Sequence, residues 1–203
     1  MPITGLRPDS FKNMQLNAGM FLMNFDHSTF EDADALLTGI LAAIGAGTGV
    51  LGATLGGGTF QTTPTIRQIE VDGMRAPFVG STQNDMWTVK LTTTLKEITP
   101  ENFELALSCT EKTTSGKKTT LKIKNDISNE DYIPKLCWVG DTNDHGFIMI
   151  ELSNALNLTG ANFTFVDKGE GTLPVEFQAH QGDMVSNKFA PCEIIFFDKP
   201  ATP

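Results

Sequence analysis

The sequence predicts a mainly β fold: an antiparallel two-sheet sandwich or flattened barrel, with a packed short helix, a peripheral helix and a long glycine-rich loop. Three observations lead there. In Trp87–Leu95 the odd positions are mostly apolar and the even ones polar, the period of a strand with one face buried. Pro174–His180 repeats the alternation. Elsewhere short β-prone runs recur between turn-forming residues, and only two stretches carry helical spacing. At 203 residues and 22.0 kDa the chain suits one domain, with a folded surface of about 9,300 Å².

Taken in order, residues 1–15 read as an N-terminal arm, because Pro2, Gly5 and Pro8 space short polar stretches. Met20–Phe25 is a short apolar strand with Phe21, Met23 and Phe25 on one face. Ser28 and Glu31 form a capping-box pattern ahead of Ala33, Leu36, Leu37, Ile40, Leu41 and Ile44, so a helix is expected from about Thr29 to Ile44, ended by Gly45. Its polar face is thin, which suits a helix covered on both sides in an assembly. Seven of the fourteen residues from Gly45 to Gly58 are glycine, so regular structure is expected to lapse there, at a large entropy cost on ordering.

Strand character returns in Thr59–Thr63 and Thr65–Val71, with Pro64 marking an edge, and Asp72-Gly73 makes a turn. After Trp87–Leu95, Thr99 caps a helix whose first residue is Pro100, with Phe103, Ala106 and Leu107 packing it on the sheet. Residues 111–118 and 124–131 read as polar turns around a strand at Thr119–Ile123. Leu136–Val139 and Phe147–Leu152 flank a looped hairpin, and Phe163–Val166, Leu173–Ala179 and Cys192–Phe197 supply three more strands. Residues 198–203 form a C-terminal tail. Roughly eight short strands result.

The chemistry this sequence can support is narrow. A formal net charge of −9 argues against gripping nucleic acid through its phosphates, yet suits a conduit that must not hold its cargo. Cys109, Cys137 and Cys192 are scattered and odd in number, as expected of reduced thiols made in the cytosol, and the isolated histidines do not suggest zinc. No secretory leader or membrane span is expected: the N-terminus has no apolar core and Leu36–Leu51 is short and interrupted. Gly47-Thr-Gly-Val-Leu-Gly52 fits a dinucleotide fingerprint in letters alone, since a helix rather than a strand precedes it. Asp141, Asn143 and Asp144 near Gly146 resemble part of a calcium loop, but His145 stands where an oxygen ligand belongs. No serine sits in a nucleophile-elbow context. No catalytic, cofactor or metal residues are assigned, and the chain is not expected to be an enzyme.

Several motifs in order carry a resemblance. Leu51-Gly-Ala-Thr54, Gly57-Gly-Thr-Phe60, Ile66–Gly73 and Leu95–Asn102 are followed by Ile150–Leu156, Asp167–Gly171, Leu173–Val175 and Phe177–His180. Over about residues 16–197 the chain resembles the major tail protein, or tail tube protein, of long-tailed phages and prophages of Gram-positive bacteria. The resemblance implies a single tail tube domain whose copies form hexameric rings. Those rings stack into a hollow tube that conducts DNA from capsid to host cell, with strands of six copies closing an inner barrel whose lumen is expected to be acidic. Its implied partners are other copies of itself, a tape measure protein in the lumen during assembly, and tail terminator and distal tail proteins at the ends. Phage DNA passes without specific binding, and no membrane insertion is implied. The implied location is the virion tail, after synthesis in the bacterial cytoplasm.

The loop that reaches the next ring corresponds to Gly45–Gln61, within a peripheral helix and inter-ring region at 28–61. Interface residues expected there are Leu36, Leu37, Ile40, Leu41, Gly47, Gly49, Val50, Leu51, Leu55 and Phe60. Contact with a neighbouring ring would offset the ordering cost of the glycines by burying Val50, Leu51 and Leu55. Two alternatives stand beside this: the inner tube of a contractile or phage-derived particle, and a non-polymerising tail-completion or binding module.

Overall fold

The computed structural model describes residues 5, 7, 10–15, 17–47, 49–143, 146–183 and 188–199. Most of the expected C-terminal tail, part of the N-terminal arm, and Asp144 and His145 lie outside them. Among the described residues the order is β1 (Met20–Met23), α1 (Ala33–Ala46), β2 (Thr54–Gln68), β3 (Thr82–Leu95), α2 (Pro100–Leu107), β4 (Thr110–Ser115), β5 (Lys118–Ile123), β6 (Ile133–Thr142), β7 (Gly146–Asn157), β8 (Leu173–Gln178) and β9 (Cys192–Asp198).

The fold is mainly β, with one seven-stranded antiparallel sheet ordered β1-β6-β7-β8-β3-β2, β9 joining it beside β7, and a separate two-stranded sheet β4-β5. Neither sheet closes into a barrel. β7 is the hinge of the large sheet. Its first part pairs with β6 and β9, Asn154 takes a left-handed conformation, and Leu156 and Asn157 pair with β8. One apolar cluster joins the two halves, with Phe21, Leu136 and Leu152 from the first and Leu91, Val175 and Phe177 from the second. A second cluster fills the opposite side of the first half, where Ala33, Leu36 and Ile40 of α1 pack on Leu22, Cys137, Val139, Met149 and Phe197.

The alternating strands form as their pattern requires. Val89, Leu91 and Leu95 on β3, and Leu173, Val175 and Phe177 on β8, are all buried. Trp87 is the exception: it begins the stripe but stays exposed beyond the edge of the core. Pro64 sits on an edge strand, where its missing N–H costs no ladder bond. Thr99 caps α2, its hydroxyl accepting from the Asn102 N–H at 3.1 Å. Thr99→Ala is expected to cost about 1 kcal/mol in urea unfolding, with an unchanged native spectrum.

Several boundaries differ from expectation. α1 starts at Ala33 because Asp32, not Ser28, caps it, accepting from the Ala35 N–H at 2.8 Å. It runs past Gly45 to a left-handed Gly47. Residues 111–118 are not plain turns but contribute β4 and its turn into β5. Lys112 ties that hairpin to α2 through Glu101 at 2.9 Å and Glu104 at 3.2 Å. Phe163–Val166 is not a strand; only Thr164 bridges to Thr172.

Asp131 closes a 3-10 turn at Asn129–Asp131, accepting from Lys124 Nζ at 2.7 Å and from the Ser128 N–H at 2.7 Å. Burial pushes its carboxyl up, but the bonds from Lys124 and Ser128 outweigh burial and hold it below its ordinary 3.8. A carboxyl lowered on folding stabilises fully above its unfolded pKa, and that contribution disappears as pH falls through the folded value. Asp131→Asn should therefore flatten the decline in melting temperature below pH 3.8, leaving the neutral-pH dependence alone.

Candidate assembly surface

The glycine-rich tract is the first place to seek an interface, and most of it is fixed within the chain. Met23 N–H donates to the Gly49 carbonyl at 2.6 Å, Leu51 N–H to the Phe21 carbonyl at 3.2 Å, and Asn102 Nδ2 to the Leu51 carbonyl at 3.1 Å. Ala53 N–H donates to Glu97 Oε1 at 2.7 Å. From Thr54 the tract is already β2. Gly56 and Gly57, both at positive φ, form a bulge opposite β3, and the Gly57 carbonyl accepts from Thr93 Oγ1 at 2.8 Å. A Cβ on Gly58 would lie 2.5 Å from the Thr92 carbonyl and 3.0 Å from the Phe21 ring. At Gly49, Gly52 and Gly58 the missing side chain permits close packing, against the Met23 carbonyl, Glu97 and the Thr92 carbonyl, whereas Gly56 and Gly57 serve their positive φ.

The expected interface residues divide accordingly. Leu36, Ile40 and Leu51 are buried in the chain's own cores, and Val50 and Phe60 are half-buried against them. Gly47 caps α1 and Gly49 accepts from β1. Leu36 and Ile40 are buried because α1 lays them on Leu22, Val139, Met149 and Phe197, and Leu51 because β1 and the start of α2 bond its backbone from two sides, so all three serve the chain's own cores. Leu37, Leu41 and Leu55 remain exposed. Leu37, Leu41 and Ile44 make an open stripe along α1, on the side away from the sheet.

Sequence reasoning missed the most prominent surface. β2 and β3 form one long hairpin, registered from Phe60↔Leu91 out to Gln68↔Thr82. Beyond Pro64↔Trp87 the hairpin leaves the core. Ile66, Ile69, Val71, Phe78, Val79 and Met86 are exposed there, Val71 and Phe78 by 68% and 67%. Arg67 stiffens it, with Nε 2.9 Å from Asp85 Oδ2 and Nη2 3.0 Å from Gln83 Oε1. At the tip, Ile69, Val71, Met74 and Phe78 line a concavity of about 450 Å³. The available signal was Ala76-Pro-Phe-Val-Gly80, two large apolar residues in a turn that the monomer cannot bury.

The outer side of the β8-β3-β2 half is different. Thr59, Gln61 and Thr63 of β2 lie beside Thr92, Lys90 and Thr88 of β3; Glu176 and Gln178 of β8 flank them. None of these residues is buried. Lys90 Nζ lies 2.8 Å from Glu176 Oε1, and Lys96, just past β3, pairs with Glu170.

One cluster has the ingredients of catalysis. Buried Glu151 lies 3.2 Å from His27 Nε2 and 3.7 Å from Lys135 Nζ, and accepts from Cys137 Sγ at 3.6 Å. Burial first, then the Glu151 charge, pushes the Cys137 thiol up to about 12, so it stays protonated and donates to the carboxylate instead of acting as a nucleophile. The cluster anchors the segment after β1 to the sheet. Asn143 donates to the Phe11 carbonyl at 3.0 Å and so binds the arm, and Asp141 accepts from Asn17 Nδ2, just past the arm, at 2.7 Å. Among the described residues no group of three His, Cys, Asp or Glu is placed to hold a metal, and no helix is long and apolar enough to cross a membrane. Compared with known proteins, the chain matches no family model and no curated relative.

Proposed function

We propose that this chain is the structural subunit of a phage tail tube, forming hexameric rings that stack into a hollow conduit for DNA. The observation that carries this reading is the surplus surface of the lone chain. It exposes 13643 Å², about half as much again as the roughly 9,300 Å² of a compact monomer of this mass. Much of the apolar part lies on the distal β2–β3 hairpin and the outer stripe of α1. Large apolar surface displayed by a stiff, hydrogen-bonded element marks an interaction site.

On this reading the two halves of the large sheet are the two layers of a tube subunit, and the hairpin reaches the adjacent ring in place of the glycine-rich tract. The edge strands β2 and β9 are open, and Ile194 and Phe196 are exposed on β9. Pairing such edges between copies closes a ring and removes the aggregation hazard of a free edge. The tape measure protein, the tail terminator and the distal tail protein are the further partners, and the subunit itself performs no catalysis. Negative-stain microscopy of the purified protein tests the proposal. Stacked rings of constant diameter are expected. A monomer, or isolated rings at high concentration, would overturn it in favour of a non-polymerising tail-completion module.

A further inference from the structure

We propose that the β4-β5 hairpin is a contact for phosphodiester polymers, its uncommitted lysines meeting successive phosphates of one strand. The net charge of −9 conceals a segregation. Residues 110–124 hold five of the chain's 15 lysines and arginines against one acid, Glu111, a net +4 that leaves −13 on the remainder. The hairpin stands outside the seven-stranded sheet, as a two-stranded sheet of its own. Two of its lysines are committed: Lys112 is held by Glu101 and Glu104 of α2, and Lys124, just past β5, by Asp131. Lys117 at the turn, and Lys118 and Lys122 on β5, are exposed and enter no ion pair among the described residues.

Strand register gives this face its chemistry. Ser115↔Lys118, Thr113↔Thr120 and Glu111↔Lys122 are directly opposed, so Lys118 and Lys122 share one side of the hairpin with three hydroxyls. Lys112 lies on the other side, the one bonded to α2. Four residues of strand set Lys118 and Lys122 about 13 Å apart, the axial reach of about four phosphates in one strand of a duplex. Lysines and short hydroxyls contact phosphates without reading sequence. The hairpin holds no arginine, whose planar fork would orient the carboxylates of a folded partner, and no aromatic ring on which a base could stack. What remains suits point charges evenly spaced along a polymer, whether a nucleic acid or a polymer of phosphorylated polyol. Glu111, opposite Lys122, tempers the site. The contact rests on the hairpin's own residues and is separate from the tube reading.

Fluorescence anisotropy on the full chain tests this, with a short labelled DNA duplex, labelled poly(glycerol phosphate) and labelled poly-glutamate as probes. Three phosphate contacts imply a log–log salt slope of about −2.7 for the duplex, so affinity should fall about 40-fold between about 50 and 200 mM salt. Lys118→Gln combined with Lys122→Gln should bring the slope to about −0.9 and weaken binding at least about tenfold near 50 mM salt. Lys118→Arg with Lys122→Arg should keep both affinity and slope. Glu111→Gln should tighten binding about threefold by removing the opposed carboxylate. Lys168→Gln with Lys188→Gln takes the same charge from elsewhere and should change affinity less than about twofold. Binding of the duplex alone assigns the hairpin to nucleic acid, and binding of both phosphate polymers assigns it to the backbone they share. Equal affinity for poly-glutamate would point to a carboxylate-rich partner and overturn the proposal. So would an equal loss in the remote double variant, or no binding of either phosphate polymer. Each of these outcomes leaves the tube reading where it stood, since ring stacking is scored separately by microscopy.

Discussion

A chain in which residues 69–81 are replaced by a two-residue turn should fold normally and form no tubes. Gln68 and Thr82 are directly opposed across the hairpin, so a two-residue hairpin turn can join them without disturbing the register below. The excised segment carries Ile69, Val71, Phe78 and Val79, all exposed, and contributes no buried residue to either core. Its loss should leave the melting temperature within about 3 °C of the parent, the scale of a sub-kcal/mol change in a domain of this size. Microscopy should show no stacked rings. Tubes of normal length from this variant would disprove the assignment of the hairpin as the link between subunits.

Leu51→Ala and Leu55→Ala, four residues apart in the same glycine-rich tract, should have opposite consequences. Leu51 is 1% exposed, packed in the main core, and its carbonyl holds Asn102 at the start of α2. Truncation there leaves a cavity beneath β1 and β2 and should cost about 2–5 kcal/mol in denaturant unfolding. Leu55 is half exposed, and its truncation should change stability by no more than about 0.5 kcal/mol. Equal small effects would return the whole tract to the role of a loose loop. For the same reason, deletion of 45–58 is expected to unfold the subunit rather than yield a monomer that cannot stack.

Where one face of an element is buried, the sequence announced it. β3 and β8 alternate because each touches the core with every second residue, and α2 is marked by Thr99 and Pro100 at its first turn. Elements polar on both faces carried no such period. Thr82–Met86 reads Thr-Gln-Asn-Asp-Met, so the outer half of β3 was invisible, and with it the length of the hairpin. β4, with Thr113 and Thr114 opposite Thr120 and Thr119, was mistaken for a turn for the same reason. The glycines misled in another way. Glycine density signals either freedom or close approach, and only the distant Phe21 and Thr92 show that Gly58 needs the second. The candidate surface was legible in Leu37, Leu41 and Leu55 alone; its larger part depends on which apolar residues tertiary packing leaves out.

The hairpin also sets an order of events in the life of a newly made chain. Its strands are neighbours in sequence, joined through residues 69–81, whereas β1 must await β6, pairing Met20 with Val139, and β7 must await β9. Local pairing of this kind forms in microseconds, while distant strands pay the slower entropy of loop closure. Each emerging subunit therefore displays its most adhesive element before the body that is to carry it has closed. High expression, which brings many such half-made chains together, should favour tangled hairpins over ordered rings, and slower synthesis should favour the rings.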